Sequence, residues 1–169
     1  MSDRTGLGAE HPLNDRIQLV FLVVYFGVWG LDSFVFRFST VLDEVVPVFV
    51  YLPLGILSFA AGIYFAAKSV AVIFGGTLVG RIGEPRFITT GVYAWVRHPM
   101  YLGSLLFLLG FFFMTLSLLS LVVWIGFFVF FDRMAAYEER DLIGILGEQY
   151  LNYQKDVPKW LMHLRRGSG

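Results

Sequence analysis

Residues 101–131 read YLGSLLFLLGFFFMTLSLLSLVVWIGFFVFF, a run of 31 residues without a charged side chain. As one straight helix the run would be roughly 46 Å long at ~1.5 Å per residue, against a bilayer hydrocarbon core of ~30 Å. That excess favours a hairpin of two arms. Pro99, Met100 and residues 132–135 lengthen the arms, and the turn falls near residues 115–120, TLSLLS. Arg97 and Arg133 flank the run, and the tendency of basic residues to stay on one side of a membrane puts both on the same face. A hairpin therefore returns the chain to the side where Arg97 lies.

Composition agrees with a membrane setting. The chain has 169 residues, 57% of them hydrophobic and 18% aromatic, with a mean hydropathy of +0.69, far from the values of soluble domains. A formal net charge of +0 and the lack of a long basic run argue against nucleic acid as a partner. Cysteine is absent, which removes disulfides, thiolate metal sites and a cysteine nucleophile. With three histidines, His11, His98 and His163, the chain offers no convincing metal centre.

Working outward, residues 1–16 are polar and of mixed charge and read as a tail on the membrane surface. Residues 17–36 are apolar apart from Gln18, Asp32 and Ser33, about the ~20 residues a spanning helix needs. No small-residue cleavage pattern follows, so a retained span is expected rather than a signal peptide. Asp32 reads by default as an interfacial residue, the alternative being a group paired inside the bundle. Residues 45–67 form a second uncharged run, with Pro47 expected in its first turn and Pro53 expected to kink it. Residues 17–67 are thus read as two N-terminal spans. Residues 68–90 read as a connector in which an interfacial helix breaks into turns at Gly75, Gly76, Gly80, Gly83 and Pro85. The connector carries Lys68, Arg81 and Arg86, followed by Arg97, against Glu84, which places it and both termini on the cytoplasmic side. Residues 161–169 form a basic tail, with Arg165 and Arg166 available to anionic headgroups. The expected fold is an all-α integral membrane protein of about four transmembrane helices, the last two a tight helical hairpin, with cytoplasmic interfacial helices in addition.

Two polar clusters bracket the hairpin. The first is residues 90–103, TGVYAWVRHPMYLG. Pro99 suits the first turn of a helix, so Arg97, His98 and the free N–H groups of that turn would meet at one helix start, a place that suits an anion. The second cluster is Arg133, Glu138, Glu139 and Arg140, with Leu142, Leu146 and Tyr150 at four-residue spacing and Tyr153 close to the same face. Taken singly, each group has a plainer reading: basic residues flanking a span, glycines packing helices, tyrosines in an interfacial belt, and glutamates on a solvated face.

The string of Thr89, Thr90, Gly91, Val92 and Tyr93, then Arg97, His98, Pro99, Met100, Tyr101, Leu102 and Gly103, then a hydrophobic hairpin, then Glu138, Glu139, Leu142, Gly147, Tyr150, Tyr153, Val157 and Pro158 resembles the isoprenylcysteine carboxyl methyltransferase and phospholipid methyltransferase families of integral membrane enzymes. The likeness covers roughly residues 88–160, with Val92 standing where many relatives have proline. It implies that residues 68–160 are a cofactor-binding half that holds S-adenosylmethionine, with the Arg-His-Pro-Met-Tyr segment and the double glutamate supplying cofactor contacts.

That cofactor carries a sulfonium, an ammonium, a carboxylate, ribose hydroxyls and an adenine. Arg97 and His98, at the helix start made by Pro99, are candidates for the carboxylate, and Glu138 or Glu139 for the ammonium or ribose. Tyr93, Tyr101, Tyr150 and Tyr153 are candidates to enclose the base or the cationic sulfur. Gly91 and Gly103 would permit close backbone approach. A carboxylate acceptor needs no base, and Arg133 would orient it; an amine or phenol would need His98 or a glutamate such as Glu139 to take its proton. The expected partners are membrane lipids and a lipophilic acceptor entering between helices. An NADPH-dependent membrane sterol-type reductase and a non-catalytic membrane subunit are the competing readings.

Overall fold

The computed structural model describes residues 14–77 and 87–160. The expected surface tail at residues 1–13, the turn-forming part of the connector at residues 78–86 and the basic tail at residues 161–169 lie outside them. Helix α1 spans Asn14–Gly30 and widens into a π-helical turn at Leu31–Phe36. After a 3-10 turn at Val41–Glu44 come α2, Val48–Thr77, a second 3-10 turn at Gly91–Ala94, α3, Pro99–Thr115, α4, Leu118–Leu146, and α5, Glu148–Asp156. The stretches Arg16–Phe36, Val48–Ile73 and Leu118–Leu146 are long and apolar enough to cross a membrane, and Pro99–Thr115 is a shorter apolar helix. The protein is an all-helical integral membrane protein.

The apolar run does double back. Helix α3 ends at Thr115, Leu116 adopts the left-handed conformation at φ 51°, and Ser117 caps α4 by accepting from the Ser120 N–H at 3.2 Å. A left-handed leucine is unfavourable, and it is held by a polar clasp from the other end of the sequence. Buried Asp32 accepts from the hydroxyls of Ser117 at 2.6 Å and Ser39 at 2.5 Å and from the Ser39 N–H at 3.0 Å. The Leu118 N–H in turn donates to the Ser39 carbonyl. Asp32 is therefore paired inside the bundle, not interfacial as expected, because three donors converge there to replace water.

Side-chain pairings fix how the helices lie. Tyr25 donates to the Leu108 carbonyl at 2.6 Å, and Trp29 to Phe111 and Thr115 at 3.0 Å each, so α1 runs parallel to α3. Helix α2 runs antiparallel to α3 along a glycine seam. A Cβ on Gly62 would sit 2.7 Å from the Phe107 nitrogen, one on Gly103 would sit 2.9 Å from the Ala66 nitrogen, and one on Gly110 would strike the Phe59 ring at 2.8 Å. Interhelical hydrogen bonds in membranes contribute only about 0.6 kcal/mol each. Backbone-to-backbone packing along this seam is thus the main tie between α2 and α3. Helix α1 packs instead on α4, through stacked and edge-on contacts of Phe21 with Phe127 and Phe130, over a core of Tyr25, Leu105, Leu108, Phe127 and Phe131. Helix α1 thus lies against both arms of the hairpin, and α2 flanks α3.

Two expectations about element boundaries differ from the structure. Helix α2 continues unbroken through Lys68 to Thr77, where a separate interfacial helix was expected; its pair of glycines at 75 and 76 does not stop it. Pro47 precedes α2 instead of sitting in its first turn, while Pro53 lies inside the helix.

Candidate functional site

The site lies where the N-terminus of α3 meets the C-terminal part of α4. Gly91, at φ +63°, opens the 3-10 turn, and Val92 and Val96 bury against Phe65 of α2. This anchorage delivers Arg97 and His98 to the start of α3, with His98 as the residue before Pro99 and Pro99 in the first turn. Pro99 supplies a fixed φ and lacks the N–H that would otherwise be unpaired there. The Arg97 N–H donates to the Pro158 carbonyl at 3.0 Å, so the segment after α5 returns across the same place.

Around His98 the charges interlock. His98 Nε2 lies 3.0 Å from Glu139 Oε1 and Nδ1 lies 3.6 Å from Glu138 Oε2. Tyr101 donates to Glu138 Oε1, and its ring stacks on the imidazole with planes 5° apart. Arg97 Nη1 donates to the Gln154 carbonyl at 3.2 Å, and the Gln154 side-chain amide donates to Glu139 Oε2 at 3.1 Å. Arg97 Nε is 3.0 Å from Glu139 Oε1, yet its N–H is not directed at that oxygen and has no hydrogen-bond partner. The contact is an ion pair by proximity.

A cleft of about 380 Å³ opens beside this cluster, lined by Tyr93, Arg97, His98, Pro99, Met100, Tyr101, Glu138, Tyr150 and Tyr153 together with Ile73, Phe87, Ile88 and Leu142. Its aromatic wall is Phe87 against Tyr150 and Tyr153, with ring centroids 5.5 and 5.1 Å away. The Tyr153 hydroxyl donates to the Tyr93 carbonyl at 2.6 Å. Burial raises the phenols of Tyr93, Tyr150 and Tyr153 above the ordinary tyrosine value, and Arg97 partly opposes this at Tyr150 and Tyr153. All three are neutral donors at physiological pH.

Among the residues expected from the sequence, Tyr93, Arg97, His98, Pro99, Tyr101, Glu138, Tyr150 and Tyr153 line this one cleft. Glu139 is buried behind it, gripped by Arg97, His98 and Gln154, which separates the two glutamates: Glu138 faces the cleft and Glu139 positions Arg97 and His98. Three others lie elsewhere. Gly103 belongs to the seam with α2, where its missing Cβ is needed. Gly91 shapes the turn, its nearest side chain being Val72. Arg133 is exposed on α4 and does not line the cleft. Tyr150 and Tyr153 are not on a continuation of the helix bearing Leu142 and Leu146, as their spacing suggested. Gly147, at φ +57° and ψ −127°, breaks the chain into α4 and α5, turning the tyrosines back over the site. Gln154 and Phe87 were not anticipated; Gln154 stands four residues after Tyr150 on α5, the one available signal.

A further clasp closes the far side. Asp132 accepts from Lys159 Nζ at 2.7 Å and from the Trp160 indole at 2.9 Å, and Trp160 lies 6.1 Å from the His98 ring.

Comparison with known proteins assigns the chain. The family model described as "Phospholipid methyltransferase" matches residues 50–149. Protein-S-isoprenylcysteine O-methyltransferase of Schizosaccharomyces pombe is 42% identical over 77 residues, covering 42% of this chain and 30% of that protein. The Mus musculus protein of the same name is 38% identical over 79 residues, covering 46% and 28%. Methanethiol S-methyltransferase of Pseudomonas deceptionensis is 39% identical over 83 residues, covering 49% and 31%. The matched stretch thus spans less than a third of these relatives' lengths. Since the family model runs over more than half of the 169 residues, from α2 through the seam, the hairpin and the double glutamate to the break at Gly147, the chain belongs to the phospholipid methyltransferase family.

Proposed function

We propose that the protein is an S-adenosylmethionine-dependent methyltransferase of the membrane, acting on a lipophilic acceptor. The observation that carries this reading is the cleft itself, which combines a guanidinium, an imidazole, a carboxylate and an aromatic wall at one helix N-terminus. The donor set fits the cofactor. Arg97, with a buried Nε lacking a hydrogen-bond partner, and His98 suit its carboxylate; Glu138 suits its ammonium or ribose; Phe87, Tyr150 and Tyr153 suit the adenine. The volume of about 380 Å³ lies in the usual range for small-molecule sites. When bound, S-adenosylmethionine supplies an electrophilic methyl on a sulfonium, the C–S electron pair returning to sulfur as the acceptor's lone pair forms the new bond.

The protein's part is positioning. A carboxylate acceptor, of the isoprenylcysteine type named for the relatives, arrives already anionic and needs no base. A protic acceptor would need a base, and His98 could serve only in place of holding the cofactor carboxylate, since Nε2 is engaged by Glu139 and Nδ1 alone is left. Arg133, exposed away from the cleft, is placed for anionic headgroups rather than for the acceptor. Lys68, Arg97 and Arg133 lie toward this end of the bundle, and Asp43 and Glu44 lie in the loop at the other. By the positive-inside tendency the cofactor site faces the cytoplasm.

The test is calorimetric binding to detergent-purified protein of S-adenosylmethionine, S-adenosylhomocysteine and NADPH. Binding of the first two without the third is expected, and the reverse would overturn the reading in favour of a reductase. Transfer of labelled methyl across prenylated thiols, phospholipids and phenolic lipids then identifies the acceptor.

A further inference from the structure

Asp132 is the first charged residue after the 31-residue apolar run, and its plain reading is a carboxylate marking the end of a span. The chain beyond α5 gives it a different setting. Lys159 Nζ donates to its carboxylate at 2.7 Å and to its backbone carbonyl at 2.9 Å, and the Trp160 indole donates to the same carboxylate oxygen at 2.9 Å. Among the described residues, Asp132 receives every side-chain hydrogen bond that Lys159 and Trp160 make. Neither it nor they line the cleft.

What this clasp holds is a strap laid across the start of α3. Val157 is buried, and its N–H donates to the Tyr153 carbonyl at 2.9 Å. Pro158 has a fixed φ and accepts from the Arg97 N–H at 3.0 Å. Trp160 then lies with its ring 6.1 Å from that of His98 and 5.6 Å from that of Phe128. His98 stacks on Tyr101, and Tyr101 on Phe131, with planes 5° and 18° apart, so Trp160 joins an aromatic series that runs from the site into the core. The two glutamates fix where the imidazole nitrogens point; the rings of Tyr101 and Trp160 limit how far the imidazole can tilt.

We infer that Asp132 is a positioning residue of the cofactor site. By clasping Lys159 and Trp160 it keeps Trp160 against His98 and Pro158 on the Arg97 N–H, so that imidazole and guanidinium stay aimed into the cleft. This rests on reading the cleft as the S-adenosylmethionine site and goes beyond it, because Asp132 acts from outside the cleft. The Asp132 side chain is 41% exposed, and an ion pair so open to solvent adds little to stability. Its effect is on where Trp160 sits.

The test uses the full chain in lipid nanodiscs, as wild type, Asp132→Ala, Trp160→Ala and the double variant. Amide hydrogen exchange is followed in peptides containing Arg97 without ligand. Binding of S-adenosylhomocysteine is measured by calorimetry, which returns the affinity and the competent fraction separately. Exchange at Arg97 should speed about tenfold or more in each single variant, and each should bind S-adenosylhomocysteine about tenfold more weakly at unchanged stoichiometry. The double variant should bind no more weakly than the weaker single one, since both substitutions break one path. Unchanged exchange at Arg97 in both single variants, or losses of affinity that multiply in the double variant, would overturn the inference. Unaltered affinity would do the same, including the case in which the stoichiometry alone falls, the mark of a merely structural role. Faster exchange at Arg97 in the variants of a protein that binds no S-adenosylhomocysteine even as wild type would support the clasp and remove the methyltransferase reading.

Discussion

Arg97 Nε sits 3.0 Å from Glu139 Oε1 with the two side chains only 12% and 11% exposed. Removing one member of such a buried pair strands the other. Glu139→Ala is expected to lower stability by about 3–5 kcal/mol, measured by chemical unfolding in detergent. Glu138→Ala, whose carboxylate faces the cleft, is expected instead to weaken S-adenosylmethionine binding about tenfold or more, with a smaller loss of stability. Equal effects of the two on both measurements would contradict the separation of their roles.

Asp32 holds the hairpin turn at the end of the bundle opposite the cleft. Asp32→Ala leaves the Ser39 N–H and two hydroxyls without their acceptor, a loss on the order of 2–3 kcal/mol. The unfolding midpoint should fall accordingly while cofactor affinity stays within about twofold of wild type.

Gly147 occupies a backbone region open to glycine alone. Gly147→Ala should cost about 1–3 kcal/mol of strain or straighten the junction of α4 and α5. In the second case Tyr150 and Tyr153 leave the cleft wall, and calorimetry should show weakened cofactor binding.

Tyr153 joins α5 to the turn before α3 through the Tyr93 carbonyl. Its phenol, like that of Tyr150, titrates above the ordinary tyrosine value because it is buried. The stabilisation from keeping it neutral is complete below the unfolded value of about 10 and is lost as pH rises through the folded value. Ultraviolet titration should therefore find these phenols ionising above the ordinary range, in step with alkaline unfolding. Tyr153→Phe should remove about 1 kcal/mol of stability.

The sequence made the hairpin legible because an uncharged run too long for one span has few other solutions, and Ser117 lies inside the turn expected from it. It also disclosed most cleft residues, since Arg97, His98 and Glu138 are polar groups with no place in a lipid-facing helix. The rest depended on contacts between distant segments. Asp32 looks interfacial until Ser39 and Ser117 are brought to it. Gly103 looks like a cofactor contact until Ala66 is found 2.9 Å from its absent Cβ. Gln154 is marked only by its place four residues after Tyr150, and the helical spacing from Leu142 to Tyr150 runs through a glycine whose backbone ends the helix.

The pairing of α1 with the hairpin has a bearing on biogenesis. Tyr25 bonds a carbonyl 83 residues later, Trp29 one 82 residues later, and Asp32 a hydroxyl 85 residues later. These three bonds can form only once the hairpin has been synthesised, whereas the bonds of Asp32 with Ser39 span seven residues and do not have to wait for it. The polar side of α1 is therefore complete only when Ser117 is in place.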